Sequence, residues 1–586
     1  MKKIVFLFLL GLFGVIGCQK NKTKVDFSKI TQTYFEGKNR LNPLDATVNG
    51  QSKFNDQLQF EMTVSYRKAQ KEFYTQTKAQ LADVDYKSLT AEEKISYDII
   101  QWEVAVGEDL LKHPTHYIPI NQFSGTHLTM GQYAGAESAQ PFKNEKDYRN
   151  FLRRMELFAV WMDSAQVAMK KGIKKGCVLP KALTEKLIPQ FEDMVTEKPE
   201  DHLYFTAITK LPSTIDAATQ QNLTKAYRET IQNQLIPSFQ RMVAFLKNDY
   251  LPQTRKSSGI GSLEGGKDWY AALAKQWTTT TKTPDEIHQL GLQEVARIKN
   301  EMEKVKNQVG FKGSIIEFFD FVRNKKELMP FKSPDEVIAN FEKIHTTIKP
   351  NVDKLFALQP KTPFRVKRTE AFREKTASAE YVQGATDGSR PGTFYVPIPD
   401  VTKYNYYGDE DLFLHEAIPG HHFQISLQQE NKSLPDFQKF NWFGAYGEGW
   451  ALYTESLGLE LGLYRDPYQY FGMLSSEMHR AIRLVVDTGI HTKGWTREQA
   501  IAYSLANEAE SEASIIAEIE RYMAIPGQAL SYKIGQLKIM ELRKKAEKEM
   551  GKRFDIKKFH QIVLESGVMP LALLEQKVQR WMDSTK

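Results

Sequence analysis

Apolar residues recur at three- and four-residue spacing through most of residues 25–350. The pattern is clear in the stretches YDIIQWEVAVGEDLLK, YRNFLRRMELFAVWMDSAQVAMKKG, LIPSFQRMVAFLKNDYL and EIHQLGLQEVARIKNEMEKVKNQ. It predicts amphipathic helices, because one face of an α-helix repeats every 3.6 residues. TPDE from Thr283 and SPDE from Ser333 predict helix starts, since each gives a capping hydroxyl, a proline and acidic first-turn residues. The helical pattern resumes after Asp411 and continues to the end of the chain.

A short region before Asp411 has a different pattern. PFRVKRT and TFYVPIPD carry alternating, branched and aromatic residues, and the turn-rich QGATDGSRPG lies between them. Such segments are typical of short strands. We therefore predict a mainly α protein with a small β element beside the segment that follows. We also predict one continuous two-lobed unit, with an N-terminal helical region (residues 31–350) and a second region (351–586) that carries the candidate chemistry.

The N-terminus is MKKIVFLFLLGLFGVIGC, in which two lysines precede an apolar run that is short for a membrane span. This is typical of a secretory signal. The small residues before Cys18 resemble the lipobox of bacterial lipoproteins. The resemblance implies a signal peptide over residues 1–17, lipidation of Cys18, a tether over 18–30, and a bacterial cell-envelope location with a lipid anchor in the membrane. The alternative is an ordinary signal peptide with an incidental cysteine.

The composition narrows the function classes. The 586 residues are 41% hydrophobic and 26% charged, and 79 basic against 72 acidic residues give a formal net charge of +7. This is an ordinary globular composition, and without a dense basic block we expect no nucleic-acid partner. Cys177 is the second of only two cysteines. We expect it to be buried and inert, although a lone thiol could also act as a nucleophile.

The candidate chemistry centres on LHEAIPGHHFQ, which begins at Leu414. His415 and Glu416 match the start of H-E-x-x-H, in which two histidines one helical turn apart hold zinc and the glutamate acts as general base. The second histidine of that motif would stand at position 419, which is Pro419, and the next histidines are His421 and His422.

A regular helix would not allow these histidines to share one ion. His415 and His421 would lie ~9 Å apart along the axis of an unbroken helix, and His415 and His422 ~10.5 Å. Pro419 and Gly420, however, weaken a helix at that point. We therefore predict an irregular backbone there that returns a later histidine to the metal.

A second helix supplies carboxylates. WFGAYGEGWALYTESLGLELG is amphipathic from about Tyr446 and carries Glu448 and Glu455. A carboxylate on a later helix is a common third ligand, and it leaves the fourth position of zinc open. The plain alternative is a polar helix with surface histidines, which the apolar neighbours of His415 disfavour.

Several blocks together carry a family resemblance: HEAIPGHHFQ, AYGEGWALYTE, RLVVDTGIHTKGWTREQA, RYMAIPGQALSYKIG, LNPLDATVNG and DGSRPGTFYVP. They resemble the bacterial domain-of-unknown-function family 885. That family is grouped with the H-E-x-x-H metallopeptidases and is distantly similar to the helical oligopeptidases, angiotensin-converting enzyme and carboxypeptidase Taq. The resemblance implies a large helical metallopeptidase-like fold, with a deep groove that holds Zn²⁺ at its floor.

The resemblance also implies roles for residues of the motif. It puts zinc on His415 and Glu448 and on a second histidine, for which it favours His421 over His422. It makes Glu416 the general base that activates a zinc-bound water. Glu455 would then orient a ligand histidine from behind, and His422 would lie beside the metal or face the substrate.

Other residues are candidates for supporting roles. The DGSRPGTFYVP block could pair as an edge strand with an extended peptide, and Arg390 within it could be structural instead. His491 could donate to a substrate carbonyl. Arg483 could act on substrate or form an i,i+4 salt bridge with Asp487. Tyr532 could donate to the developing oxyanion, although a lone tyrosine is more often a packing residue.

These observations predict a zinc metallopeptidase that hydrolyses short or unfolded peptides. One alternative is a metal-dependent amidase that acts on cell-wall or other amides. Another is a non-catalytic, peptide-binding lipoprotein with a structural metal. Serine hydrolase chemistry is disfavoured, since the chain lacks a G-x-S-x-G motif.

Overall fold

The structure is a computed structural model that describes residues 26–135, 138–370, 374, 377–384 and 390–585. Cys18, the predicted signal peptide and the predicted tether up to residue 25 lie outside these residues. None of the helices in the described ranges combines the length and the apolar composition that a membrane crossing requires.

Helices dominate the described chain, as predicted. The first group precedes residue 280 and comprises α1 (Phe27–Leu41), α2 (Pro43–Val48), α3 (Val64–Ala82), α4 (Ala91–Leu110), α5 (Thr126–Ala134), α6 (Glu145–Lys174), α7 (Lys181–Glu192), α8 (Ala217–Thr230), α9 (Ile236–Phe245) and α10 (Gly266–Thr278). Short π segments flank α9, so the chain is helical from Ala217 to Tyr250.

The second group leads into the histidine-rich segment and continues past it. It comprises α11 (Pro284–Gln308), α12 (Ile315–Asn324), α13 (Pro334–Leu355), α14 (Asp409–Glu416), α15 (His421–Glu430), α16 (Asp436–Lys439), α17 (Gly444–Glu455), α18 (Gly458–Leu461), α19 (Pro467–Thr492), α20 (Arg497–Leu505), α21 (Glu512–Ala524), α22 (Ser531–Met550), α23 (Ile556–Leu564) and α24 (Leu571–Ser584).

Two predicted helix starts are confirmed. The Thr283 hydroxyl accepts from the backbone N–H of Glu286, and the Glu286 carboxylate accepts from the Thr283 N–H, which makes a capping box at the start of α11. The Ser333 hydroxyl accepts from the Glu336 N–H at the start of α13. These contacts satisfy amide groups that the first turn of a helix leaves without partners.

The predicted β element is confirmed as a three-stranded sheet of β1 (Phe364–Arg368), β2 (Glu380–Val382) and β3 (Gly392–Val396). β3 lies in the middle, parallel to β1 and antiparallel to β2. β2 was not predicted from the sequence. The expectation that the DGSRPGTFYVP block offers an edge strand to a peptide is wrong for β3, because both of its edges already pair within the sheet.

One contiguous hydrophobic core runs through both predicted regions, from Phe27 to Met582. The predicted division at residue 350 falls inside α13, which continues unbroken to Leu355. Cys177 belongs to this core, where burial raises the pKa of its thiol to about 11. A thiol with so high a pKa is a poor nucleophile at neutral pH, which favours the inert interpretation.

Helices α17 and α22 make one of the closest contacts in the core. A Cβ atom placed on Gly449 would lie 2.4 Å from the Cα of Gly535. A Cβ placed on Gly535 would lie 1.8 Å from the carbonyl oxygen of Ala445. Only glycine fits at these two positions. The backbones of α17 and α22 therefore touch at Ala445, one turn before Glu448, and at Gly449, one residue after it.

Candidate metal centre

The H-E segment is divided between two helices. α14 ends at Glu416 and α15 begins at His421, and the linker contains a cis peptide bond between Ile418 and Pro419. The irregular backbone predicted at Pro419 and Gly420 is therefore confirmed, in the form of a complete break.

Gly420 makes this break compact. A Cβ atom on Gly420 would lie 2.0 Å from the carbonyl oxygen of His415, a distance that no larger residue tolerates. The Trp450 indole N–H donates to the Pro419 carbonyl at 2.9 Å, and the Thr454 hydroxyl donates to the Leu414 carbonyl at 2.9 Å. Helix α17 thus fixes the last turn of α14 and the linker that leads to α15.

The break brings His415 and His421 together with Glu448. Their ligand atoms lie within 4.8 Å of one another. Glu448 Oε2 is 3.7 Å from His415 Nε2 and 3.4 Å from His421 Nε2. Helix α14 contributes the imidazole of His415, α15 contributes that of His421, and α17 contributes the carboxylate of Glu448.

The two separations from Glu448 are close to those between neighbouring ligands of a tetrahedral metal ion. Bonds of roughly 2.0–2.1 Å at tetrahedral angles place neighbouring ligand atoms about 3.4 Å apart. A cation would therefore hold together an imidazole–carboxylate cluster that is too loosely spaced for good direct hydrogen bonds. The His421 Nδ1 atom is also buried without a partner among the described residues.

Glu455 contacts His415 on the ring nitrogen that does not face Glu448. Its Oε1 atom accepts a hydrogen bond at 2.7 Å from Nδ1 of His415, whose Nε2 faces Glu448. Burial opposes protonation of His415, but the nearby carboxylate of Glu448 and the hydrogen bond with Glu455 outweigh this cost and raise the pKa of the imidazole to about 10. A positive charge is thus strongly favoured at this point, and a divalent cation would meet the same demand.

Glu416 lies at the edge of the cluster with its carboxylate unengaged. The residue is 9% exposed, and no hydrogen bond within the described chain involves this carboxylate. Burial raises its pKa, and the nearby positive charges of His415 and His421 oppose the rise. A carboxylate of this kind suits proton transfer at neutral pH.

His422 points away from the cluster, to the small sheet. Its Nδ1 atom is 3.0 Å from the Tyr381 hydroxyl on β2, and its ring lies 4.9 Å from that of Phe364 on β1. Burial lowers the pKa of His422 to about 4. The structure thus separates two adjacent histidines: His421 faces Glu448, and His422 fastens α15 to the sheet.

Two charged groups near the cluster were missed by sequence reasoning. Asp411, one turn before His415, is buried, and its pKa is raised well above the usual value by burial. Arg480 on α19 donates to the Ser476 carbonyl at 3.2 Å, while its Nε is buried without a partner in the described chain. Its positive charge acts on both Asp411 and Glu416. Only the packing of α19 against α14 brings these groups together, so local spacing carried no signal.

The predicted salt bridge between Arg483 and Asp487 is wrong. Arg483 instead pairs with Glu518 at 2.9 Å, and its guanidinium carbon lies 4.4 Å from the ring centre of Tyr532. Asp487 accepts from the Tyr270 hydroxyl and from the Gly527 N–H. Tertiary partners have replaced the local pair. Tyr532 is the second residue of α22, half-buried, and its ring packs under Arg483.

His491 and Arg390 have structural contacts. His491 is buried, with Nδ1 accepting from the Ile260 N–H at 3.1 Å and Nε2 3.0 Å from the Tyr522 carbonyl. Both ring nitrogens are thus committed to backbone groups, which corrects the expectation that His491 donates to a substrate. Arg390 is exposed and donates to the Gln383 carbonyl at 2.7 Å.

A cavity of about 680 Å³ is lined by helices α1, α3, α4 and α10 and by residues 442–444, whereas the cluster residues are not part of its wall. Trp442 belongs to this wall, and its ring lies 5.9 Å from that of His421. The N-terminus of α17, one turn before Glu448, is part of the same wall. A second cavity of about 340 Å³ shares Lys38, Asn42 and Trp442 with the first.

Fold and site together define a large helical protein with a buried histidine–carboxylate cluster beside a wide cavity. The chain belongs to the bacterial proteins of unknown function grouped as DUF885, whose family model matches residues 43–578. A comparison with curated proteins gives no match.

Two solved structures share the fold. A "putative lipoprotein" from Colwellia psychrerythraea superposes with a TM-score of 0.85 at 27% identity, over 95% of this chain and 99% of that one. A "putative lipoprotein of unknown function" from Shewanella oneidensis superposes with a TM-score of 0.73 at 21% identity, over 94% of this chain and 99% of that one. The second likeness concerns the fold alone.

Proposed function

We propose that this protein is a zinc-dependent hydrolase of peptide bonds. The observation that carries the proposal is the convergence of His415, His421 and Glu448 next to the unengaged carboxylate of Glu416. Two imidazoles and one carboxylate are the ligand set of many catalytic zinc sites, and they leave one position for water or substrate.

Zinc bound by these residues would supply Lewis acidity and would make water a nucleophile at neutral pH. Glu416 would accept a proton from the attacking water and return it to the leaving amine. Its raised pKa brings proton uptake closer to neutral pH. Arg480 would add positive charge close to Glu416.

Glu455 would keep His415 in place. Its hydrogen bond to Nδ1 selects the tautomer in which Nε2 has a lone pair for the metal. A closed structural site normally has four protein ligands. Within the described residues the cluster offers three, and this supports an open, catalytic arrangement over a purely structural metal.

Substrate size is suggested by the cavity. A volume of about 680 Å³ is in the range that holds a small organic ligand or a short peptide. The walls come from several helices, which suits an extended, unfolded segment better than the surface of a folded protein. We therefore propose short or unfolded peptides as substrates.

We further propose that Cys18 carries a lipid and holds the protein at a membrane of the bacterial cell envelope. The small residues before Cys18 and the description of both solved relatives as lipoproteins support this. Mass spectrometry of the mature N-terminus and the membrane fraction of Cys18→Ala would test it. A Cys18→Ala protein that stays in the membrane fraction as wild type does would contradict the anchor.

The decisive experiment compares wild type with Glu416→Gln. Both proteins would be loaded with zinc, analysed for bound metal, and assayed with a library of short unstructured peptides and with muropeptides. We expect Glu416→Gln to retain zinc and to lose activity by about 10²- to 10⁴-fold, since only the proton acceptor is removed.

Glu342→Gln is a matched control, because Glu342 is exposed on α13 far along the sequence from the motif. Full activity in Glu416→Gln would overturn the mechanism. Cleavage of muropeptides alone would redirect the proposal to a cell-wall amidase.

A further inference from the structure

The 680 Å³ cavity beside the metal cluster contains a cation without an acidic partner. Two basic side chains line it, Lys38 on α1 and Arg67 on α3. Lys38 is paired, since its Nζ lies 3.0 Å from Oε1 of Glu103. Arg67 makes no ion pair with any described carboxylate, and burial lowers the pKa of its guanidinium.

Neutral groups hold the Arg67 guanidinium in place. Its Nη2 donates to the Leu111 carbonyl at 2.5 Å and more weakly to the His113 carbonyl at 3.4 Å. Its Nη1 reaches only the Thr115 hydroxyl at 3.5 Å, and its Nε has no hydrogen-bond partner in the described chain. The guanidinium is thus held mainly through Nη2, and the N–H groups on its other side remain available to donate to a ligand.

The two acids of the cavity wall have partners other than Arg67. Glu103 is neutralised by Lys38. The oxygens of Glu61 both accept hydrogen bonds from neutral donors, the Thr126 hydroxyl and the Trp161 indole, and burial raises the pKa of this carboxyl. Neither carboxylate forms an ion pair with Arg67 among the described residues, and an arginine remains protonated at neutral pH.

The rest of the lining suits a peptide. Trp102, Trp277 and Trp442 all contribute to the wall, together with several tyrosines. Trp442 belongs to this wall and its ring lies 5.9 Å from that of His421, so this side chain connects the cavity with the metal cluster. A concave, largely aromatic pocket with one spare cation matches an apolar segment that ends in an anion.

We propose that this cavity binds the carboxy-terminal segment of a peptide substrate and that Arg67 accepts its terminal carboxylate. The inference rests on the proposed peptide hydrolysis and deepens it, because the protein would then cleave near free carboxyl ends of peptides. Arg67 is a specificity-determining residue in this proposal, distant from the reacting bond, and it contributes by charge-assisted hydrogen bonds.

The test uses matched peptide pairs. N-acetylated, unstructured pentapeptides would be made with either a free carboxylate or a carboxamide at the C-terminus. Their binding to zinc-loaded Glu416→Gln protein would be measured by calorimetry, and their cleavage by zinc-loaded wild type would be followed by mass spectrometry. We expect the carboxylate form to bind about 10- to 100-fold more tightly, the difference typical of hydrogen bonds to a charged group.

Variants of Arg67 test whether this residue causes the preference for the carboxylate form of the peptide. The double variant with Arg67→Gln and Glu416→Gln should bind the two forms equally. Arg67→Lys should keep part of the preference, because lysine keeps the positive charge but lacks the bidentate donors of a guanidinium. Arg149→Gln is the matched control, since Arg149 is an exposed arginine paired with Glu145 on α6. Circular dichroism would show that each variant is folded, and Arg67→Lys provides the test if Arg67→Gln does not fold.

The outcomes separate the two proposals. Equal binding of carboxylate and carboxamide by the Glu416→Gln protein, or a preference that survives Arg67→Gln, would overturn the role of Arg67. Cleavage of the peptides in that case would leave the proposed hydrolase intact. Tight, Arg67-dependent binding of the carboxylate form with no cleavage by wild type would instead sustain the binding site and overturn the hydrolase.

Discussion

The core of this protein contains two kinds of buried histidine site. At His560, on α23, each ring nitrogen has a protein partner 2.8 Å away, the Leu355 carbonyl and the Tyr453 hydroxyl. In the candidate metal cluster, the Nε2 atoms of His415 and His421 face the carboxylate of Glu448 at 3.7 and 3.4 Å. Protein groups satisfy both ring nitrogens of His560, whereas the gaps between the two imidazoles and Glu448 leave room for a bound ion.

The electrostatics of the two sites are opposite. Burial lowers the pKa of His560 to about 3, so this ring is neutral at every ordinary pH. Burial acts the same way on His415, but Glu448 and Glu455 reverse the effect and raise its pKa to about 10. A buried histidine with carboxylates on both nitrogens therefore demands a cation, whereas one with neutral partners serves packing.

The largest effect should distinguish His421 from its neighbour His422. We expect His421→Ala to weaken zinc binding by more than about 100-fold, because a direct ligand is removed rather than an outer partner. His422→Ala should keep its zinc and lose about 1–2 kcal/mol of stability with its contacts to the sheet. Metal content after dialysis and urea unfolding measure the two effects. Equal zinc loss in both variants would contradict the assignment.

An intermediate effect is expected at Glu455, which links the cluster to the protein. Glu455→Gln keeps the size of the side chain but removes the charge behind His415, so zinc affinity should fall about 10- to 100-fold. Competition with a chelator measures this change. Glu460→Gln, which removes a surface carboxylate paired with Arg543, is the control. Unchanged affinity in Glu455→Gln would show that its hydrogen bond to His415 does not tune the site.

The smallest effect concerns His560 and acid stability. Its pKa is about 3 in the folded protein and near 6.5 when unfolded, so the unfolded chain binds the extra proton. The stability that this neutral ring contributes is complete above pH 6.5 and is lost as the pH falls toward 3. Between pH 7 and pH 5, wild type should lose about 2 kcal/mol that His560→Gln does not lose. Urea unfolding at both pH values measures it, and an identical loss in the two proteins would refute the expectation.

The sequence predicted the helical fold, two of the three strands and, through the family resemblance, the three cluster residues. Helical periodicity and the strand-like segments are local signals, and the pair of H-E and GEGW blocks restricts the ligands to a few residues. Pro419 and Gly420 predicted the break because both residues disfavour helix in any surroundings.

The remaining features depend on contacts between distant segments. Arg480 approaches Glu416 only because α19 packs on α14, and Arg67 lies some 350 residues from the motif. Arg483 and Asp487 have the spacing of a local ion pair, yet each has a better partner on another element. The two nitrogens of His491 are bound by backbone groups that no sequence pattern reveals.

The glycine contact between α17 and α22 has a consequence for how the candidate site would bind a metal ion. Because Gly449 and Gly535 let the two backbones touch, α17 cannot slide or rotate without a steric clash. The helix that carries Glu448 is therefore positioned by main-chain packing, independently of any ion. The backbone that carries this carboxylate is therefore preorganised, so little of its conformational entropy would have to be lost if an ion were bound.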